Sequence, residues 1–433
     1  MRKVLKNGGV RKQCKIYGML STHRHGKHIS FHTPGHKRKG WDITELTYSD
    51  NLSCPQGCIL EAERDIAEIL GANASFILTD GSTSGVFSIL YAARGLGVKR
   101  VAVCAASHKS VFNACAALGI TPLVYPQKTK GKIPYLRTMY ALNEEFSQIF
   151  SVADALFFTS PDYYGNIAEL SAIRRYCDEN KKLLLIDGAH GGHLHFDRRV
   201  YAGEYADMWV DGVHKSLPAF TQGAVVSARD NRTAEALRRA VDVFRTTSPS
   251  YPIMASVEYA VKYPENSKLK ALATEFEKNE QRIYFGGDWT KLCAVFGENA
   301  FAVQKELENQ SIYAEFCDGN TVTFYLSPAT KIREFWVLKK KLTALFTKYP
   351  CAETEAEKPP VYEKGAGESE WTDLESAEGR VCANACGLFP PCTPLLAVGE
   401  VITEEKLRLL QSAEQVFGLY ENRILVFKKE EKE

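Results

Sequence analysis

The stretch Met208-Trp209-Val210-Asp211-Gly212-Val213-His214-Lys215-Ser216-Leu217-Pro218-Ala219-Phe220-Thr221-Gln222-Gly223 decides how this chain is read. A short apolar strand, Met208-Trp209-Val210, runs into a polar turn that carries a lysine. In open α/β sheets the carboxyl edge of the strands is where ligands bind. A lysine buried at such an edge is costly unless it loses its charge or its nitrogen becomes covalently bound. A Schiff base to an aldehyde meets both conditions. The plainer reading is an exposed lysine at a turn, so the surroundings of Lys215 have to decide.

The same strand-then-polar pattern repeats outward from this point. Ser75-Phe76-Ile77-Leu78 leads to Thr79-Asp80-Gly81-Ser82-Thr83-Ser84-Gly85, and Arg100 to Cys104 leads to Ser107-His108-Lys109-Ser110. Ala155 to Phe158 leads to Thr159-Ser160-Pro161-Asp162-Tyr163-Tyr164-Gly165, and Leu183 to Ile186 leads to Asp187-Gly188-Ala189-His190. Helix-like segments lie between or beside them, over Glu61–Leu70, Val86–Arg94, Ser110–Leu118 and Ile167–Asn180. Strands that are apolar throughout and alternate with helices predict an α/β fold with a mostly parallel sheet covered on both faces.

The texture differs at both ends. The first forty residues are rich in His, Lys, Arg and Gly and read as an arm or loop. After Pro264 come charged helices and alternating strands, Ile312 to Cys317 and Thr321 to Leu326, which predict a smaller α+β region whose antiparallel sheet has one solvated face. Ala352 to Glu378 is acidic, with Pro and Gly, and reads as a loop or linker. A helix is expected to begin near Thr403. The chain therefore divides into an arm (1–45), a major domain (46–265), a smaller α+β domain (266–350), and a linker with a C-terminal element (351–433).

Bulk properties exclude several classes. At 433 residues the chain exceeds one ordinary core. A formal net charge of +2 gives no electrostatic case for nucleic acid or an anionic membrane surface. No apolar stretch is long enough to span a bilayer. The basic segment Met1–Lys15 is followed by no apolar run of the kind a signal peptide needs. Twelve cysteines are scattered, with clusters only at Cys54/Cys58 and Cys382/Cys386/Cys392, and none has paired C-x-x-C spacing. No metal site is expected, and a reduced, cytoplasmic protein is.

Four strand-end features carry chemistry. Asp80 to Gly85 precedes a helix, and Gly81, Ser82 and Thr83 there suit a phosphate monoester, although the same residues also make an ordinary helix cap. The segment is neither a P-loop nor a dinucleotide fingerprint. Asp187 is placed to pair with a protonated ring nitrogen, or to serve as a turn aspartate. His190 follows it and is placed to contact the same ligand. His108 is placed to stack on a ring. Lys215 arrives last.

This order of parts resembles the fold-type I enzymes that use pyridoxal 5'-phosphate (PLP). In more detail the chain resembles the Orn/Lys/Arg decarboxylase family, especially its shorter bacterial members. The resemblance rests on Phe31 to Lys37, Asp80 to Gly85, His108 to Ser110, Ser160 to Gly165, Asp187 to His193, His214 to Ala219, Thr247 to Tyr251, Gly287 to Leu292 and Phe389 to Glu400. It implies an aspartate aminotransferase-like major domain and a covalent bond from Lys215 to the cofactor. It also implies Asp187 on the pyridine nitrogen, His108 on the ring, and Ser82 and Thr83 on the phosphate. His214 would lie beside the reacting carbon and protonate it. Ser248 and Ser250 would approach the phosphate across a homodimer interface. Glu400 would recognise a basic substrate side chain.

Four positions depart from the family's pattern. Gly188 stands where an acid is usual, Gly212 where a phosphate-binding serine is usual, Ser53 in place of a histidine, and Asp80 in place of an asparagine. The missing Gly212 hydroxyl removes a hydrogen bond of about 1–3 kcal/mol if the phosphate is buried. The expected activity is decarboxylation of arginine, lysine or ornithine to CO2 and a polyamine-type amine. Another PLP reaction, such as transamination or elimination, fits the same cup, acid and lysine. A non-catalytic PLP-binding descendant fits the departures.

Overall fold

A computed structural model describes residues 7–37, 40–125, 128–129, 137–138, 147–350, 368–388, 394–413 and 415–428. The Pro-rich 389–393 segment, Cys392 and most of the expected linker lie outside these residues.

The apolar runs form one seven-stranded sheet. In chain order its strands are β1 (Ala74–Leu78), β2 (Arg100–Cys104), β3 (Thr121–Tyr125), β4 (Ala155–Thr159), β5 (Leu183–Asp187), β6 (Met208–Asp211) and β7 (Ala224–Ala228). Their spatial order is β1-β7-β6-β5-β4-β2-β3. Every neighbouring pair is parallel except the two made by β7, which runs antiparallel to both β1 and β6. Side chains alternate between two cores. Leu156, Phe158, Leu184, Ile186 and Trp209 enter one. Ala155, Phe157, Leu185, Met208 and Val210 enter the other. A strand buried on both faces has no polar positions to alternate, which is why these runs are apolar throughout.

The flanking helices follow local rules. Helix Cys58–Leu70 buries Ile59, Ala62, Ile66 and Leu70 and stops at left-handed Gly71. Helix Lys109–Leu118 is capped by His108 and stops at left-handed Gly119. The first forty residues, expected as an arm or loop, contain a helix, Lys15–His25, that buries Ile16, Tyr17 and Leu20. It packs on helices Cys58–Leu70 and Tyr251–Val261. Its interleaved His and Arg residues masked this apolar stripe.

The smaller sheet comprises β8 (Ile283–Tyr284), β9 (Lys291–Val295), β10 (Phe316–Cys317) and β11 (Thr321–Tyr325), all antiparallel in the order β8-β9-β11-β10. Helices Ser267–Asn279, Ala300–Glu308 and Ile332–Lys348 cover one face through Leu269, Phe276, Val303 and Leu342. The expected solvated face does not exist. Lys291, Cys293, Thr321 and Thr323 are all buried, because that face packs on the loops at the carboxyl edge of the large sheet. A third sheet pairs β12 (Ser369–Asp373) and β13 (Leu419–Tyr420) with β14 (Arg423–Phe427). The first of these strands falls inside the expected linker. Its acidic composition hid a strand whose partner lies some fifty residues later in sequence. The expected C-terminal helix is Glu404–Ser412, capped by Thr403.

Candidate active site

The turns after β1, β2, β5 and β6 converge. Gly81, Ser82, Thr83, His108, Asp187, His190, His214 and Lys215 line one cavity of about 230 Å³. Tyr163, which follows β4, and Thr221 and Gln222 share the lining.

The cup is not an ordinary cap. Helix Ser82–Gly95 begins at Gly81, which has φ +86° and ψ 170°, and no side chain caps its first turn. That conformation is open to glycine alone. The Gly81 N–H is taken by the Gln222 carbonyl at 2.9 Å. The helix start faces the cavity with its N–H groups and the positive end of its dipole. Asp80 serves the cup from behind: it accepts from the Ser84 hydroxyl (2.9 Å) and from the Thr246 N–H (3.2 Å).

Asp187 ends β5 and is 3% exposed. Its carboxylate accepts from the Ala189 N–H at 3.0 Å. Burial pushes its pKa up, and the Lys215 ammonium pulls it back. A cationic ring N–H bound here would keep this carboxylate ionised.

Lys215 sits in the single turn Val213–Ser216 directly after β6. Its Nζ lies 3.1 Å from His190 Nε2. Burial, Lys215 and Lys291 push His190 well below the usual histidine range, so its ring is neutral. Its Nδ1 is buried without a hydrogen-bond partner among the described residues. His108 is held down to about 4 by burial and then by Lys215 and Lys109. Its Nδ1 accepts from the Ser110 N–H at 3.1 Å, which leaves the ring proton on Nε2. His214 has the opposite tautomer. Its Nδ1 donates to the Gly223 carbonyl at 2.9 Å, leaving Nε2 as an acceptor. Burial lowers its pKa too.

Three expected residues are not brought to this cavity within one chain. Ser248 is exposed, with its N–H on Thr246 Oγ1 at 3.1 Å. Ser250 begins helix Tyr251–Val261 without capping it through its side chain. Glu400 is buried in the C-terminal element, where its carboxylate pairs with Lys406 and accepts from the Ala397 N–H at 3.0 Å. Tyr163, Thr221 and Gln222 carried no expected role. Tyr163 shares the strand-end placement of the other site residues, which is the signal that would have found it.

The glycine departures have a steric reason. A Cβ on Gly212 would fall 2.4 Å from the Ala189 carbonyl oxygen. A Cβ on Gly188 would meet the Val210 carbonyl at 3.0 Å and Asp211 Oδ1 at 3.2 Å. Asp211 fills that space. It is 1% exposed and accepts from the Tyr201 hydroxyl (2.7 Å) and the Trp209 indole N–H (3.1 Å).

Residues 40–283 match the family described as Orn/Lys/Arg decarboxylase, major domain. The chain belongs to the Orn/Lys/Arg decarboxylase family. Relatives span nearly its whole length. The uncharacterized protein YaaO of Bacillus subtilis (strain 168) is 29% identical over 96% of this chain and 99% of its own. An arginine decarboxylase of Halalkalibacterium halodurans is 25% identical over 92% and 93%. The Escherichia coli constitutive lysine decarboxylase structure aligns with TM-score 0.73 at 18% identity, covering 96% of this chain and 82% of that one. A structure of SPT with PLP aligns with TM-score 0.52 at 15% identity, covering 67% and 77%. The family member described here therefore has the fold-type I architecture of PLP-dependent enzymes. Among the described residues no cluster of His, Cys, Asp or Glu is arranged to hold a metal, and no helix is long and apolar enough to cross a membrane.

Proposed function

We propose that this chain is a PLP-dependent decarboxylase of a basic L-amino acid, arginine, lysine or ornithine, releasing CO2 and the corresponding polyamine-type amine. One observation carries the reading. Lys215, the buried Asp187 carboxylate and the glycine-started helix at Gly81–Thr83 face one cavity, each from the end of a different strand. The names of the relatives, arginine and lysine decarboxylases, support the reaction and the basic substrate.

Bound there, PLP would supply an aldehyde for Lys215 and an electron-accepting ring as CO2 departs. The chain's own residues do the rest. The N–H groups and hydroxyls at Ser82 and Thr83 would hold the phosphate, and Gly81, whose own N–H is engaged by Gln222, would let it approach the backbone closely. Asp187 would hold the ring N–H, and His108 the ring face. Neutral His190 accepts from Lys215 Nζ and so keeps the amine directed into the cavity. His214 is neutral with Nε2 as its accepting nitrogen, so it must take up a proton before it delivers one. That makes it a relay rather than a standing acid. The small sheet meets this site behind His190, where Tyr325 packs edge-on against the imidazole.

Ser248 and Ser250 reach no part of this cavity from within one chain. Their expected approach to the phosphate supports a homodimer in which each copy completes the other's site. The proposed location is the cytoplasm, in keeping with the free cysteines of the described residues. Reconstitution with PLP tests the cofactor assignment. The wild type is expected to gain a visible absorbance band that Lys215→Ala lacks. A band that survives in Lys215→Ala would sink it.

A further inference from the structure

The segment Gly287 to Leu292 has no place in the site described above, yet it holds a group of buried charges. Asp288, Thr290 and Lys291 are all 0% exposed, and His193 is 1%. Asp288 is the hub. Its Oδ1 accepts from the Thr290 hydroxyl (2.7 Å) and N–H (2.9 Å) and lies 2.8 Å from His193 Nε2, while Oδ2 lies 3.3 Å from Lys291 Nζ. Lys291 Nζ also donates to Thr290 Oγ1 (2.9 Å) and sits 4.5 Å from the Tyr325 ring centroid.

Its last contact leaves the small sheet. Lys291 Nζ donates to the backbone carbonyl of His190 at 3.3 Å. Tyr325, beside Lys291 in the sheet register, presents its ring edge-on to the His190 imidazole at 5.5 Å. The Tyr325 hydroxyl donates to the Tyr163 carbonyl at 3.0 Å, and the Tyr163 ring meets His190 from another side at 4.8 Å. His190 is thus boxed by Tyr163, Tyr325 and two ammonium groups, those of Lys215 and Lys291, and of these four Tyr325 and Lys291 come from the small sheet. The join is tight. A Cβ on Gly165 would fall 2.4 Å from the Phe285 carbonyl oxygen and 2.9 Å from Lys291 Cβ.

A buried ion pair is weak evidence for stability, because desolvation offsets most of the attraction. Stability alone therefore gives no reason to keep an ammonium here. We propose that Lys291 is a positioning residue for the Lys215 site: neutralised by Asp288, it clamps the His190 carbonyl and fixes the imidazole against the Lys215 amine. The inference rests on the decarboxylase reading for its consequence in catalysis, but not for the clamp itself. The charged and titratable groups facing His190 are Lys215, Lys291, His108 and His214. Of these only Lys291 belongs to the small sheet, so it makes the geometry of His190 depend on how that sheet seats.

The test compares wild type, Lys291→Met, and Lys291→Met with Asp288→Asn, which removes both charges and leaves no unpaired ion buried. Hydrogen–deuterium exchange at the His190 ring carbon, read by mass spectrometry on cofactor-free protein, gives the titration point and accessibility of that one histidine. The titration point is expected to rise by roughly one pH unit or more in Lys291→Met, since a nearby cation has gone, and by less in the double variant, where the Asp288 carboxylate has gone with it. The double variant is expected to melt near the wild type. With PLP and a basic amino acid, its kcat is expected to fall about ten- to hundredfold, the range set by small misplacements of a reacting group, with little change in KM. Thr290→Val, a milder change that unties Lys291 from one partner, is expected to move His190 exchange in the same direction by a smaller amount. This variant keeps the test open if the others do not fold. His190 exchange and kcat that match the wild type in a folded variant would overturn the proposal and leave the cluster as a plain interdomain tie. Because exchange is read without cofactor, it decides the clamp even if the wild type releases no amine, a result that would count against the decarboxylase reading instead.

Discussion

Replacing Gly212 by serine sets two effects of similar size against each other. By resemblance to the family, a serine here supplies a hydroxyl to the cofactor phosphate. A new hydrogen bond to a buried phosphate is worth about 1–3 kcal/mol, or roughly five- to 150-fold in affinity. In this chain the side chain has no room. Its Cβ would lie 2.4 Å from the Ala189 carbonyl oxygen and 3.2 Å from both the Ala189 carbonyl carbon and Cα. These are backbone atoms, so no rotamer relieves the contact. Nor is the Ala189 peptide free to retreat. The Ala189 N–H is held by Asp187 at 3.0 Å, and the Gly191 N–H by the Gly188 carbonyl at 2.7 Å. Moving Ala189 drags Asp187 on one side and His190 on the other. Overpacking of this kind costs about 1–3 kcal/mol, and part of that cost falls on Asp187 and His190, the residues proposed to hold the ring and to direct the lysine.

Because the 2.4 Å contact is with backbone, the clash sits at the upper end of its range and outweighs the hydrogen bond, so the expected net effect is a loss. Gly212→Ser should bind PLP more weakly than the wild type by about tenfold, and its melting temperature should fall. Gly212→Ala is the control that adds the Cβ without the hydroxyl, and it should lose more, since no hydrogen bond to the phosphate offsets the clash. Both are read by titrating cofactor-free protein with PLP and following the visible band, alongside a thermal melt. A Gly212→Ser protein that binds PLP tighter than both the wild type and Gly212→Ala, without losing stability, would refute the steric argument.

Two further predictions concern a buried aspartate to which the sequence reading gave no role and a glutamate that it placed differently. Burial, and then the neighbouring Asp187 charge, raise the Asp211 pKa to about 7 against the bonds from Tyr201 and Trp209. The folded chain then holds a proton that the unfolded chain has lost between about pH 4 and pH 7, so this group's contribution to stability declines as pH rises through that window. Asp211→Asn should remove the decline. The gap in unfolding free energy between variant and wild type should widen in the variant's favour by up to about 4 kcal/mol from pH 4 to pH 8, measured by denaturant titration, and a gap that does not change with pH would contradict it. Glu400→Gln should leave the Lys406 ammonium buried without its counter-charge, at a cost of about 3–5 kcal/mol, and leave KM for the substrate nearly unchanged. A large rise in KM with an unchanged melting temperature would show instead that Glu400 meets the substrate.

Much of the site was legible because the strands that carry it are covered on both faces. Such strands read as continuous apolar runs, so the first polar residue after each run marks the ligand edge. His108, Asp187, Lys215 and the Gly81 cup were found in this way. What lay outside that logic was missed or misplaced. Lys291 and Thr323 alternate with apolar residues and look solvent-facing, but their face is covered by a distant part of the chain. Pairing between Ser369–Asp373 and Arg423–Phe427 is non-local, and no local composition signals it. Nor does the sequence say that Glu400 is buried and paired with Lys406, six residues further on. Gly188 and Gly212 looked like losses of function. In space they look like one adjustment, made where Asp211 and the Ala189 peptide occupy the room that larger side chains would need.

The central claim is that this cavity removes CO2 from a basic amino acid. The direct test is to incubate purified protein with PLP and arginine, lysine or ornithine separately, and to measure CO2 and the matching amine. The account predicts equimolar CO2 and amine from at least one of the three, and neither from Lys215→Ala. A wild type that forms the Lys215-dependent band yet releases CO2 from none of them would contradict it.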